Sequence, residues 1–172
     1  LRYKRALARS LERLLDELAI DTTPRGVTAI RPGPQHRPSD THAHQVIDRA
    51  RLEIAEYLQG RRVAFGVPID LSGLPPFQQR VLIATAAIPC GATRSYAWVA
   101  ARIGAPRAVR AVGTALARNP IPLLIPCHRV LRSDGGLGGF SLGAGRPLKA
   151  ALLELEARMD RPLARPTAVA ID

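Results

Sequence analysis

The stretch Asn119-Pro120-Ile121-Pro122-Leu123-Leu124-Ile125-Pro126-Cys127-His128-Arg129-Val130 is apolar until the polar triplet Cys127-His128-Arg129 interrupts it. Pro126, placed directly before the triplet, argues against a regular helix or strand at that point. A cysteine inside an apolar run is ordinarily an inert core residue. Here an imidazole and a guanidinium follow it, and nearby positive charge or a base favours the reactive thiolate. Neighbours along a helix or strand do not face each other. A partnership between Cys127 and His128 therefore needs a sharp turn, or a water between them. A histidine acting as base also needs a third group to fix its tautomer. The carboxylates of the last helix, Glu154 and Glu156, both qualify, and helical geometry does not separate them.

Upstream, Pro76 suits a first-turn position and opens a helix that aligns Phe77, Val81, Ala84 and Ile88 before Pro89 stops it. Two short helices follow, around Tyr96 to Ile103 and Pro106 to Arg118, separated by Gly104-Ala105. That arrangement predicts a helix-turn-helix. Downstream, Ser133 to Gly139 is a glycine-rich loop and Leu148 to Arg158 reads as a closing helix. Asp70 to Pro76 looks like a linker, dividing the chain into an N-terminal sheet-and-helix domain (1–70), a C-terminal domain (71–160) and a tail (161–172). In the first domain the spacing of Leu7, Leu11, Leu14, Leu15 and Leu18 predicts a basic helix over residues 2–18. Gly26 to Ile30 reads as a strand and residues 31–44 as a loop. Ile47, Ala50, Ile54 and Leu58 mark a helix from Ala43 to Gln59, with Gly60 in the C-cap region.

Lys plus Arg total 25 against 14 Asp plus Glu, a net charge of +11, and hydrophobic residues make up 47 % of the chain. This supports a sizeable core and predicts attraction to a polyanion. Lys4 and Lys149 are the only lysines, so the cationic surface is arginine, which pairs with phosphate through a bidentate fork. No run approaches the ~18 apolar residues of a membrane span, and no secretory apolar segment is present. The chain opens on Leu1 rather than Met, so its native start can lie upstream. Cys90 and Cys127 form no C-x-x-C, and His42-Ala43-His44 is weak evidence for ligation, so no metal site is expected.

The run from Asn119 to Val130 resembles the signature of the O6-alkylguanine-DNA alkyltransferases. Pro76-Phe77-Gln78-Gln79-Arg80-Val81, Gly91-Ala92-Thr93-Arg94-Ser95-Tyr96 and Arg110-Ala111-Val112-Gly113 fall in that family's order. So do Gly135 to Phe140 and Lys149-Ala150-Ala151-Leu152-Leu153-Glu154-Leu155-Glu156. The resemblance implies an α/β protein with a small N-terminal sheet-plus-helix part and a mostly helical C-terminal alkyltransferase and DNA-binding domain. It implies transfer of an alkyl group, mainly methyl, from O6 of guanine in double-stranded DNA irreversibly to Cys127, without a cofactor. His128 would deprotonate Cys127 through a water, Glu156 would orient His128, and Asn119 would brace the turn. Tyr96 would help extrude the nucleotide and protonate the departing guanine. Leu116, Pro122, Val130, Phe140 and Ser141 would line the substrate pocket. Arg110 would fill the gap in the duplex, with Ala111, Gly113 and Ala115 allowing close approach to the minor groove. A cytoplasmic, DNA-associated monomer able to cooperate along DNA is expected.

Several positions depart from the family pattern. The N-terminal region lacks one of two expected strands and is read as reduced or rebuilt. The loop from Ser141 to Leu148 is longer than usual, Phe140 stands where tyrosine is common, and Leu155-Glu156-Ala157 replaces a His-Glu-Gly closure. Cys90 is read as a bystander. Two rival readings are a damage sensor that binds without transfer and a regulator that reuses the helix-turn-helix. Methyl transfer distinguishes the first, and sequence-specific binding to undamaged DNA the second.

Overall fold

Strand β1 (Leu18–Thr23) pairs antiparallel with β2 (Gly26–Pro32), with Ile20 opposite Ile30 and an irregularity between Asp21 and Thr22. The computed structural model that shows this describes residues 14–36, 38 and 40–159. Most of the expected helix over residues 2–18 therefore lies outside the described residues. Within them, Leu14–Asp16 are helical but Leu18 is not. Leu18 continues the leucine spacing only by coincidence of phase: it pairs with Pro32, and its carbonyl accepts from Arg51 Nη2 at 2.6 Å. The N-terminal region thus has a two-stranded sheet rather than a single strand. Threonines, which favour extended backbone, end β1.

Helix α1 (Thr41–Leu58) starts two residues earlier than its apolar stripe suggests, because Asp40 caps it by accepting from Ala43 N at 2.8 Å. Its buried face carries Val46, Ile47, Ala50, Ile54, Tyr57 and Leu58 and packs on the hairpin. It closes as expected at Gly60, whose φ of +75° places it in the left-handed region beyond the Gln59 cap. The segment expected as a linker is pinned at its start. Asp70 N donates to Val27 O, the Asp70 carboxylate accepts from Thr23 and Ser72, and Leu71 is buried. Val27 also bridges Ile69 in parallel.

Helices α2 (Pro76–Ala86), α3 (Tyr96–Arg102) and α4 (Val109–Ala117) pack mutually. Helix α4 begins at Val109 rather than Pro106, since Pro106 and Arg107 form a turn and Ala108 is the N-cap. The two-residue strands β3 (Arg94–Ser95) and β4 (Val130–Leu131) pair in parallel, and α5 (Arg146–Ala157) closes the described chain with Pro147 in its first turn. The architecture is mixed α/β with helix predominant. Its buried apolar side chains run from Leu14 to Met159 and across residue 70 as one cluster. Burial of that surface is the main favourable contribution to folding.

Candidate active site

The sharp turn required at Cys127 is present. Pro126, at φ −81° and ψ 62°, sits in an inverse γ-turn closed by Cys127 N donating to Ile125 O at 2.8 Å. A single 3₁₀ turn, Cys127–Arg129, follows. Just upstream, Leu123 has φ +75°, the one non-glycine residue with positive φ among the described residues. Such a conformation costs of order 1–3 kcal/mol and persists only where surrounding contacts enforce it. Asn119 supplies two of those contacts. Its Nδ2 donates to Ile125 O and its Oδ1 accepts from Ile121 N, each at 3.0 Å. The N-terminal sheet supplies another, with Ile30 N donating to Pro120 O at 2.7 Å.

The turn sends His128 inward, where it is fully buried. Its Nε2 lies 2.8 Å from Glu156 Oε1. Glu154, the alternative carboxylate, is partly exposed and pairs with Arg158. Glu156 also accepts from both Nε and Nη2 of Arg129, at 3.0 and 2.8 Å, and through Oε2 from Gly91 N at 2.9 Å. Burial alone would raise the Glu156 pKa, but His128 and Arg129 hold it well below the usual carboxylate range. Burial lowers the His128 pKa, against the opposing pull of Glu156. Arg129 already balances the Glu156 charge, so the imidazole is neutral at rest. With Nε2–H donated to Glu156, Nδ1 carries the lone pair, and it has no hydrogen-bond partner among the described residues.

Cys127 is buried to 6 % exposure yet lines a cleft of about 430 Å³ together with Tyr96, Gly113, Leu116, Ala117, Gly139, Phe140 and Ser141. Burial raises the thiol pKa, only partly offset by the Asn119 side chain and the Lys149 charge. Arg129, the expected source of positive charge, faces Glu156 instead and donates to Ile88 O. The cation that acts on the sulfur is Lys149, a fully buried residue whose Nζ donates to Val130 O at 2.7 Å and Gly139 O at 3.3 Å. Burial pushes its pKa down to about 8. Lys149 was not foreseen as a site residue, although its being one of two lysines in an arginine-rich chain was a signal.

Parallel pairing of β3 with β4, Arg94 opposite Val130, brings Tyr96 to the cleft at the start of α3, where Ser95 caps the helix by accepting from Trp98 N at 3.0 Å. Burial first, and the Cys127 charge second, raise the Tyr96 pKa, so it keeps its proton. Its hydroxyl rests on Gly138, where a Cβ would lie 2.6 Å from the oxygen. Of the expected pocket residues, Leu116, Phe140 and Ser141 line the cleft, whereas Pro122 and Val130 are buried away from its lining. Phe140 stands edge-on to the His128 ring, with centroids 6.3 Å apart. On α4, Arg110 and Ala111 are exposed and Gly113 is half-buried, but Ala115 faces the interior at 7 % exposure. A second cleft of about 480 Å³ shares Tyr96 and Gly113 and is bordered by Arg110, Arg132 and Asp134. Cys90 is buried against Met159 Sδ at 3.5 Å. No cluster of three His, Cys, Asp or Glu side chains suited to a metal occurs among the described residues.

Residues 76–158 match the DNA-binding domain of 6-O-methylguanine DNA methyltransferases. A methylated-DNA–protein-cysteine methyltransferase of Methanothermobacter thermautotrophicus is 42 % identical over 134 residues, which cover 76 % of this chain and 74 % of that protein. The constitutive enzyme of the same name from Bacillus subtilis is 45 % identical over 107 residues, covering 62 % of this chain and 64 % of its own length. The match therefore spans under two thirds of the Bacillus protein. Among solved structures, Mycobacterium tuberculosis OGT in complex with DNA superposes with a TM-score of 0.66 at 38 % identity, covering 81 % of this chain and 92 % of that one. By its sequence, its fold and the arrangement around Cys127, the chain belongs to the methylated-DNA–protein-cysteine methyltransferase family.

Proposed function

We propose that this protein repairs DNA by direct reversal, moving an alkyl group, chiefly methyl, from O6 of guanine to Cys127. The observation that carries the reading is a thiol at an open cleft, next in sequence to a neutral, buried imidazole whose Nδ1 has no partner among the described residues and whose Nε2 is tied to Glu156. His128 takes the thiol proton, directly or through a water, as the sulfur attacks the alkyl carbon. The C–S bond forms, the C–O6 bond breaks, and its electron pair passes to the guanine, which Tyr96 protonates. The step balances without a cofactor. A thioether does not return to thiol under these conditions, so each molecule acts once.

An O6-alkyl carbon in a stacked duplex is beyond the reach of a side chain, and the nucleotide has to be rotated out. The exposed Arg110 is suited to fill the gap, and the bare surface at Gly113, where a Cβ would meet nothing within 4 Å, suits close approach of the α4 backbone to a groove. Helices α3 and α4 would serve as the DNA-reading pair. The net charge of +11 favours salt-dependent duplex binding with little sequence preference. In this reading the protein works on DNA in the cytoplasm, one copy per lesion, with copies cooperating along the duplex.

Mass spectrometry after incubation with an O6-methylguanine oligonucleotide tests the reading. One methyl on Cys127 per protein is expected, while Cys127→Ser still binds the oligonucleotide and accepts nothing. Restored guanine with unmodified protein, or a methyl on Cys90, would overturn it.

A further inference from the structure

The mechanism above uses nothing from the N-terminal part of the chain, yet α1 reaches the centre of the site. Tyr57 is fully buried, and its hydroxyl lies 2.7 Å from Glu156 Oε1 and 3.2 Å from His128 Nε2, although it is 99 and 71 residues away from them in sequence. Its ring packs against Phe65 at 5.3 Å between centroids. We propose that Tyr57 is a positioning residue, whose hydroxyl holds Glu156 and fixes His128 in the tautomer that leaves Nδ1 free to accept a proton. The inference rests on the reading of Cys127 as alkyl acceptor.

The hydroxyl has one proton, and the shorter contact is to an ionised carboxylate that can only accept, so the proton goes to Oε1. The tyrosine lone pairs then face His128. An unprotonated Nε2 would meet two acceptor oxygens, Oε1 at 2.8 Å and the hydroxyl at 3.2 Å, with no proton between. Nε2 therefore carries the hydrogen and Nδ1 the lone pair. The same hydroxyl shares the Glu156 charge and so limits how strongly that charge draws a proton onto His128.

The charged and titratable groups around this contact are Glu156 and Lys149 from α5, Arg129 and Cys127 from the 3₁₀ turn, and Cys90 from the loop after α2. None of these is removed by Tyr57→Phe, which deletes only the hydroxyl and keeps the ring against Phe65. With the hydroxyl gone, the Glu156 charge falls more fully on His128, and the imidazole becomes more basic.

The test compares wild type and Tyr57→Phe in methyl transfer from an O6-methylguanine duplex across pH, with His128 titrated in both by nitrogen-15 NMR. Transfer by the variant should be slower by roughly ten- to a hundredfold, the range seen where the partner that orients a metal-bound histidine is lost. The acid limb of its profile should move to higher pH with the His128 titration. Superimposable limbs and titrations would reduce Tyr57 to packing, even if the variant unfolds at lower temperature. If neither protein accepts a methyl group, the alkyl-acceptor reading fails, and the titrations alone decide: an upward shift in the variant supports the role, and coincidence rejects it. If Tyr57→Phe does not fold, the wild-type spectrum decides, since the proposal requires the Nε2–H tautomer and an Nδ1–H tautomer would overturn it.

Discussion

The two nitrogens of His128 look onto regions built on opposite principles. On the Nε2 side, Glu156 is surrounded by donors from α1, the 3₁₀ turn and the loop at Gly91, and its charge is balanced by Arg129. Toward the cleft the site is less satisfied: His128 Nδ1 has no hydrogen-bond partner among the described residues, the Cys127 thiol is raised by burial, and the cation that acts on it is a lysine whose own pKa is pushed down to about 8. A saturated region resists change because every group would lose a partner, whereas an under-satisfied one gains by taking up a substrate. The contrast assigns rigidity to the inner side and reactivity to the cleft side.

The largest effect should come from breaking the inner side. Glu156→Gln keeps the shape but leaves the buried Arg129 charge uncompensated, and such losses cost about 3–5 kcal/mol. Methyl transfer should fall by roughly a hundredfold or more as His128 loses its orienting charge. The pH dependence has a definite sign. Glu156 is held below its ordinary value of 4.5, so its contribution to stability is complete above that pH and is lost as pH falls further. His128 is lowered from 6.5, so the unfolded chain takes up a proton there that the folded chain does not, and stability declines below that pH as well. Denaturant midpoints should thus fall from about pH 6.5 downward in wild type. In Glu156→Gln the further loss below 4.5 should be smaller, with the part due to Asp70, which its Thr23 and Ser72 hydrogen bonds also hold below its ordinary value, remaining. An undiminished acid limb in the variant would mean that other carboxylates govern it.

How much of this contrast was legible in the sequence follows from its physics. The thiol, the imidazole and the break at Pro126 are contiguous, so the turn at Cys127 could be anticipated, and α2 to α5 announce themselves by apolar spacing and proline placement. The roles of neighbouring charges could not be read that way. Arg129 adjoins His128 in sequence but turns to Glu156, while Lys149 comes to the sulfur from α5, because chain proximity says little about which face of a turn a side chain takes. Tyr57 fits the buried stripe of α1, so its burial could be inferred but not its partner 99 residues on. The N-terminal sheet was half missed because Leu18 satisfied a helical period and a strand pairing at once.

A smaller effect is expected from thinning the cleft side. Lys149→Met removes the cation that lowers the thiol pKa, so Cys127 should react with iodoacetamide roughly several-fold more slowly near pH 7, the size of effect expected for losing one neighbouring charge. In wild type, Lys149 itself loses its proton near pH 8, so its help fades above that pH. The two rate profiles should therefore converge on the alkaline side. A constant ratio at every pH would show that the lysine acts through its bonds to Val130 and Gly139 and not through its charge.

The smallest effect, and the one that separates folding from function most cleanly, is at the outer edge of the cleft. Gly113 lies within α4, and a Cβ built on it meets nothing within 4 Å, so no packing among the described residues requires a glycine there. Replacing a helical glycine by alanine gains about 0.5–1 kcal/mol through reduced backbone freedom in the unfolded chain. Gly113→Ala should accordingly unfold at a slightly higher temperature, with the inner cluster untouched. If the α4 backbone lies against nucleic acid, the added methyl occupies the space a duplex would use, and affinity for an O6-methylguanine duplex should drop a few-fold while iodoacetamide still reaches Cys127 at the wild-type rate. Stabilisation with unchanged duplex affinity would place the DNA elsewhere, since a helix surface pressed against a groove cannot accept an extra methyl without moving away from it.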